Sequence, residues 1–167
     1  MTGQVARAAK NGDIMPLVTA SDSAGATTVA NPAAGLLAPG ETTTAIVNTN
    51  NATANTQLSV VAMLLPTNDG FLALNSLTVP TLPGTYTYNL NAYDAGTEAN
   101  TESADTVPGP AASGLAEGFN ADRDDVRNAV YVHPGVVTQD DGLNTSTLGG
   151  NQRWDNPIAR VQIERVQ

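Results

Sequence analysis

The sequence predicts an all-β protein, an antiparallel β-sandwich with only short helical turns near its N-terminus. Several short segments alternate apolar and polar side chains with a period of two, the pattern of strands with one buried face. The chain is rich in Thr and Val, which favour strands, and its 15 glycines and 10 prolines supply many turns. No segment shows the apolar spacing of a long amphipathic helix. We therefore expect residues 1–167 to form a single sandwich domain.

The predicted helical turns lie in the first twenty residues. Residues 5–10 form one short turn, and Asp13 begins a second turn that runs through Val18. Residues 21–40 are rich in Ala, Gly, Thr and Pro, and we expect them to form a loop. The period-two pattern then predicts strands over residues 42–49, 57–65, 71–74, 77–79, 85–90, 130–132 and 158–166.

Three of the later segments carry more detailed expectations. Residues 57–65 form the most apolar run, which predicts a central strand buried on both faces. Residues 94–120 contain no convincing strand, and a loop of that length is usually functional or mobile. The last strand is expected to turn three apolar side chains to the core and three polar ones to water, namely Ala159, Val161 and Ile163 against Arg160, Gln162 and Glu164.

The distribution of charge is more informative than the net charge of −9. Lys10 is the only lysine, and the next basic residue after it is Arg123. Phosphate binding needs a basic face, so nucleic acid is not an expected partner. Carboxylates that converge would attract a cation, whereas carboxylates that stay apart form a solvated acidic surface. The acidic residues between the two bases are Asp13, Asp22, Glu41, Asp69, Asp94, Glu98, Glu102, Asp105, Glu117 and Asp122.

Several kinds of chemistry and location are disfavoured by the composition. The chain has no cysteine and a single histidine, His133, which argues against a zinc site and against a catalytic triad. No apolar run approaches the roughly 20 residues that cross a membrane, and no secretory leader opens the chain. A composition poor in Lys and rich in Thr and Asn is typical of exported proteins. We therefore expect an extracellular or cell-surface location.

One pair of acidic residues has the spacing of a possible cation site. Asp94 and Glu98 flank Gly96, and a loop that bends back there would turn both carboxylates toward one ion. The Thr97 hydroxyl and backbone carbonyls would supply further oxygens, a ligand set that suits Ca²⁺. Two alternatives remain open, an exposed turn and a hydrolase with an acidic pair, although the chain lacks an aromatic-rich sugar-binding cleft. The acidic group at residues 122–125 is expected to pair locally. The acidic group at residues 140–142 is expected to form a turn.

Four motifs follow one another along the chain. Residues 62–74 contain Asn-Asp-Gly-Phe, residues 92–100 contain Asp-Ala-Gly-Thr-Glu, residues 132–135 read Val-His-Pro-Gly, and residues 154–161 begin Trp-Asp-Asn-Pro. In this order they resemble the spondin domain, the N-terminal region of F-spondin and mindin, in the form found in bacterial secreted proteins. The resemblance covers about residues 10–167 and is weak before residue 55.

The resemblance implies a β-sandwich similar to calcium-dependent membrane-binding domains, with Ca²⁺ at one end. The acidic positions of the family's motifs look like metal ligands, and here they are Asp69, Asp94 and Glu98. The metal is expected to pin the loop of residues 94–120. Animal relatives serve matrix adhesion and recognition. The chain is accordingly predicted to be a secreted, non-catalytic module for cell adhesion, recognition or structural assembly, with a protein, matrix or glycan partner outside the cell.

The start of the chain departs from the family pattern. Family members usually begin with a strand well before the Asn-Gly-Asp segment, here residues 11–13, whereas this chain begins almost at that segment. A sandwich that lacks an edge strand exposes unpaired backbone groups, which a second copy can fill by strand addition. The alternative prediction is therefore a self-assembling subunit of an extracellular filament or matrix.

Overall fold

The computed structural model describes residues 7–9, 12–49, 54–109 and 127–166, together with Val5 and Ala111. Residues 7–9 are helical, and the elements that follow them are mostly strands. In chain order they are α1 (Met15–Ser23), β1 (Gln57–Met63), β2 (Gly70–Thr78), β3 (Gly84–Leu90), β4 (Ala92–Asp94), β5 (Tyr131–Val132), two 3-10 turns (Gln139–Asp141 and Gly150–Gln152) and β6 (Ala159–Arg165).

The strands form two antiparallel sheets. The larger sheet has the order β1-β2-β4-β5, and the smaller one consists of β3 and β6. β3 and β6 pair without a register shift, from Gly84 opposite Arg165 to Leu90 opposite Ala159. The two sheets touch where β2 contacts β3. The prediction of an all-β, antiparallel protein with helical turns near the N-terminus is confirmed.

β1 is an edge strand, whereas the sequence predicts a central strand buried on both faces. Among the described strands it pairs only with β2, and none of its residues is fully buried. An apolar run identifies a strand but does not show how many neighbours the strand has, and here the described chain supplies one.

β2 is one continuous strand where the sequence predicts two short ones. The predicted break falls at Asn75 and Ser76, which are polar and exposed. The ladder accommodates them through a register shift between Leu58 and Val60 of β1, and the Ser76 N–H donates to the Ser59 hydroxyl at 3.0 Å. β2 therefore carries a bulge in which Asn75 and Ser76 lie opposite the single residue Ser59 of β1, and this bulge takes the strand across the polar interruption.

Residues 42–49 do not form the strand that the sequence predicts. They lack regular secondary structure, and the side chain of Ile46 is 90% exposed. No backbone hydrogen bond joins residues 42–47 to any other part of the described chain. Their Thr, Ile and Val side chains favour strands, but a strand also needs a partner edge, which composition cannot reveal.

β3 and β6 lie where the sequence predicts them, to within one residue at each end. The residues of β6 alternate between half-buried and exposed, with the apolar side chains on the half-buried face as predicted. In β3, Tyr86 and Tyr88 are half-buried and Leu90 is buried. The apolar face of the smaller sheet is therefore covered only in part.

Polar side chains make up an unusual share of the buried interior. Among the described residues, ten apolar and ten polar or charged side chains are buried. A small apolar cluster contains Phe71, Ala95 and Ala9, with the Tyr93 ring 5.9 Å from that of Phe71. β2 and β4 bring this cluster together next to Asp94. The polar interior is thus concentrated at one end of the larger sheet.

The loop after β4 begins at this end. Its described part, residues 95–109 and 111, contains neither helix nor strand, as predicted. β4 itself was not predicted, because three residues are too short for a periodic pattern. In the part of the chain described here, no helix has the length and apolar character needed to cross a membrane.

Candidate cation site

A tight turn at residues 67–70 presents the first acidic side chain. The Thr67 hydroxyl donates to the Leu64 carbonyl at 2.7 Å and accepts from the Gly70 N–H at 3.0 Å. A Cβ at Gly70 would lie 2.6 Å from that hydroxyl oxygen, so the turn requires glycine. Asn68 and Asp69, between these two residues, are fully buried. The Asn-Asp-Gly motif therefore directs two polar side chains inward.

Asp69 holds the loop after β4 through one carboxylate oxygen. Its Oδ2 accepts the Thr97 N–H at 2.6 Å, the Thr97 hydroxyl at 2.7 Å and the Glu98 N–H at 3.0 Å. We call these three bonds the Asp69 clasp. The structure thus brings Asp69 to the Asp94–Glu98 segment, as the resemblance implies. The Thr97 hydroxyl, which we expected to face a metal, donates to Asp69 instead.

Asp94 is buried at the end of β4 and uses both of its oxygens. Oδ1 accepts the Gly96 N–H at 2.7 Å, while Oδ2 accepts the Tyr131 hydroxyl at 2.7 Å and the Asn100 amide at 3.0 Å. Burial and the bond to Asp94 raise the pKa of Tyr131 to about 12, so its proton stays on the phenol. The Arg127 guanidinium lies 4.2 Å from the centre of the Tyr131 ring. Folding therefore brings a basic residue close to an acidic stretch that has none in its own sequence.

Gly96 allows the loop to pack against the segment that precedes β5. Its φ of +69° is the left-handed conformation that glycine adopts most readily. A Cβ at this position would overlap the backbone of Ala129, whose nitrogen would lie 2.8 Å away. The Gly96 carbonyl also accepts the Asn128 N–H at 3.1 Å. The predicted bend at Gly96 is confirmed, and its reason is this close backbone contact.

Glu102 is a fourth buried acid that the sequence reasoning did not select. It is 0% exposed, and its backbone N–H donates to the Asn68 side-chain oxygen at 3.1 Å. Burial, with smaller effects from Asp94 and Asp69, raises the pKa of Glu102 to about 7. Burial also raises the pKa of Asp69 to about 6, against the opposing effect of the clasp. The sequence offered one signal for it, because Glu102 lies in the stretch between Lys10 and Arg123 that contains acidic residues and no basic ones.

Several buried oxygens at this end of the sheet have no hydrogen-bond donor. They are Asp69 Oδ1, Asn100 Oδ1 and both carboxylate oxygens of Glu102. The Asn100 orientation is set because its amide nitrogen must face the Asp94 carboxylate. Buried acceptors without partners are costly, and a hard cation would satisfy them. Carboxylate and amide oxygens are the ligands that Ca²⁺ takes, so the donor set fits this ion.

The carboxylates do not converge on one point in this conformation. Within the described ranges, no three His, Asp or Glu side chains are placed together so as to hold a metal ion. Hydrogen bonds explain the spacing, because Asp94 and one oxygen of Asp69 face donors of the loop. The calcium site at Asp69, Asp94 and Glu98 therefore stays a prediction.

Comparisons with known proteins add no assignment at this point. No protein-family model, no curated protein and no solved structure matches the chain. The resemblance to the spondin domain thus rests on the sequence motifs alone and also stays a prediction.

His133 lies near the acidic residues but is not suited to bind a metal. Its Nδ1 accepts the Gly135 N–H at 3.1 Å, which places the proton of the neutral ring on Nε2. Burial lowers the pKa of His133, which favours this neutral form. The ring packs 5.0 Å from that of Trp154. These contacts are those of a packed, structural side chain.

The acidic group around Asp141 has its own partners. Asp141 lies in a 3-10 turn, where its carboxylate accepts from Thr138 and pairs with Arg153. The predicted turn at residues 140–142 is thereby confirmed. The predicted local pairing at residues 122–125 lies outside the described residues, as does Lys10.

Proposed function

We propose that this chain is a secreted, calcium-binding β-sandwich module of the spondin type. It serves adhesion, recognition or structural assembly outside the cell and carries out no catalysis. Its partner is a protein, or a matrix or glycan surface. The two antiparallel sheets, the touching pair β2 and β3, and the order of the four motifs support the sandwich and the family.

The buried, donor-poor oxygens at the end of the larger sheet carry the calcium proposal. Asp69, Asp94 and Glu98 would hold the ion, with Glu102 and the Asn100 amide oxygen as further ligands. When bound, Ca²⁺ would neutralise acids that burial otherwise disfavours as anions. The turn at residues 67–70 and the loop at residues 95–109 would then be tied together by the ion as well as by the Asp69 clasp.

The burial of the acidic pair favours binding over hydrolysis. Asp94 and Glu98 are 0% and 6% exposed, whereas a hydrolytic pair must reach a substrate on both sides of the scissile bond. Two surface cavities, of about 440 and 410 Å³, lie elsewhere. Leu36 and Glu41 line the first, and Arg153 and Trp154 line the second.

Thermal unfolding with Ca²⁺ and with chelator tests the proposal. Ca²⁺ at 100 times its dissociation constant should stabilise the parent by about 2.7 kcal/mol, since it binds only the folded state. Asp94→Asn should lose most of this shift. Asp22→Asn, which changes an exposed acid of α1, is the matched control and should retain it. An equal calcium response in the parent and in Asp94→Asn, or no response in the parent, would overturn the site.

A further inference from the structure

Residues 26–48 form a projecting arm. Every residue of the arm is exposed except Ala33. Its two ends meet at Asn55, whose amide donates to the Thr27 hydroxyl at 2.9 Å and to the Asn48 carbonyl at 3.4 Å. The arm therefore leaves the rest of the chain and returns to the same place.

The arm presents apolar side chains and a segment of strand-forming composition to solvent. Residues 42–47 read Thr-Thr-Thr-Ala-Ile-Val, and their backbone has no backbone partner within the described chain. Exposed apolar groups that lie close together commonly mark an interaction surface. The large exposed apolar residues of the arm are Val29, Leu36, Leu37, Ile46 and Val47.

β3 provides an edge that lacks the usual protection against strand pairing. It pairs with β6 on one side, and no described strand pairs with its other side. Proteins guard such edges with charges, prolines or bulges, and β3 has none of these over its seven residues. By contrast, β6 carries Arg160, Glu164 and Arg165, and β1 has a register shift. A two-stranded sheet is also marginal by itself, and Tyr86 and Tyr88 are only half-buried.

We propose that residues 42–47 of one copy add as a third strand to the free edge of β3 in a second copy. The added strand would extend the smaller sheet to three strands and pair the free backbone groups of β3. Because the arm and the edge are different surfaces, the contact is heterologous, and repetition yields a chain of copies joined head to tail. Strand addition of this kind draws its affinity from backbone hydrogen bonds.

The charge of the two surfaces favours a second copy as the occupant. The arm carries a single charge, Glu41, and β3 carries none, so copies with a net charge of −9 can meet here with little repulsion. In either strand direction, Glu41 would lie about two strand spacings, or about 10 Å, from an arginine of β6, because Arg165 is opposite Gly84 and Arg160 is opposite Asn89.

Cysteine pairs test the proposed register between the arm and β3, since the natural chain has no cysteine. Thr44→Cys mixed with Thr87→Cys of β3 should give an oxidised dimer. Two control mixtures combine Thr44→Cys with Gln162→Cys of β6 or with Ala62→Cys of β1. Each should give an about tenfold lower yield of oxidised dimer, because only adjacent strands bring Cβ atoms to 4.5–5.5 Å. A higher yield of oxidised dimer with either of these two controls would overturn the assignment to β3.

A second experiment tests the assembly itself. Light scattering and electron microscopy at rising concentration should show oligomers of the parent. Ile46→Asp should abolish them, and Met15→Asp should not, although Met15 is also exposed, at 60%. Monomers of the parent at all concentrations, or unchanged oligomers of Ile46→Asp, would overturn the proposal. The proposed contact does not include the cation site. Each sample is measured with Ca²⁺ and with chelator, so that the two proposals are tested separately. A calcium-dependent melting shift in a strictly monomeric protein would leave the cation site intact and reject only the strand addition.

Discussion

Asp69 Oδ2 accepts both the backbone N–H and the hydroxyl of Thr97, at 2.6 and 2.7 Å. The two residues are 28 positions apart, and one belongs to a tight turn while the other belongs to a long loop. A single carboxylate oxygen therefore determines where the loop begins its course across the end of the sheet.

Removing the Thr97 hydroxyl should weaken this attachment. Thr97→Val keeps the shape and the backbone donors but removes one charge-assisted bond, so we expect a loss of about 1.5–3 kcal/mol in the free energy of unfolding at pH 8. Thr97→Ser keeps the hydroxyl and should lose less. Urea unfolding of the three proteins measures the difference, and equal losses in both variants would show that the hydroxyl bond contributes nothing.

Gly96→Ala should be strongly destabilising. The new methyl group would overlap the Ala129 backbone while the residue holds a φ of +69°, and together these effects should cost at least about 3 kcal/mol. Gly142→Ala is a matched control, because Gly142 has a φ of +90° and open space around the added methyl. It should cost only about 1–2 kcal/mol. Chemical denaturation compares the two, and similar losses would mean that the loop moves away from Ala129 without penalty.

Tyr131→Phe should show how much the phenol contributes by holding Asp94. The change removes a 2.7 Å bond to a buried carboxylate, with an expected loss of about 1.5–3 kcal/mol at neutral pH. Tyr86→Phe is the control, because the Tyr86 hydroxyl donates to the Leu82 carbonyl at an exposed site. It should lose about 1 kcal/mol or less. Thermal melts in chelator measure both losses. An unchanged stability of Tyr131→Phe would mean that Asp94 finds another donor.

Glu102 and Asp69 together should lower the stability of the calcium-free protein as the pH rises from about 4 to about 7, and His133, whose pKa burial lowers, opposes this effect. Glu102 and Asp69 release their protons near pH 4.5 and 3.8 in an unfolded chain, but near pH 7 and 6 in the folded one. The folded state binds more protons over this interval, so the free energy of unfolding decreases as pH increases. The stabilising effect is complete below pH 3.8 and is lost above about pH 7.

Glu102→Gln is the variant that isolates the larger part of this pH effect. Gln cannot ionise, so in chelator at pH 8 the variant should be more stable than the parent, by on the order of 2–3 kcal/mol. The slope between pH 4.5 and 7 should change accordingly, because the contribution of Glu102 is removed while those of Asp69 and His133 remain. Melting temperatures measured across this range provide the test. A variant with the full slope of the parent would show that Glu102 is not the titrating group.

The sequence predicted those features that depend on neighbours along the chain. Strict alternation located β3 and β6, and the faces of β6 followed from it. The Asn-Asp-Gly and Asp-Ala-Gly-Thr-Glu motifs located Asp69, Asp94 and Glu98, which the structure brings to one end of the larger sheet.

Features that depend on distant parts of the chain were missed. Within the described residues, β1 is an edge strand and residues 42–47 have no backbone partner. Both features depend on which strands are available, and strand composition contains no such information. Glu102 belongs to no motif, and its burial results from the path of a loop without regular structure. Tyr131 likewise reaches Asp94 only because β5 pairs with β4.

The Asp69 clasp also has a topological consequence. Asp69 precedes β3 and Thr97 follows it, so their bonds close a loop of chain that contains all of β3. The chain crosses to the smaller sheet and returns before this loop is closed. We therefore expect the two sheets to unfold as one cooperative unit. In a protein without disulfides, the Asp69 clasp and the adjoining pairing of β2 with β4 would then together hold the smaller sheet to the larger one.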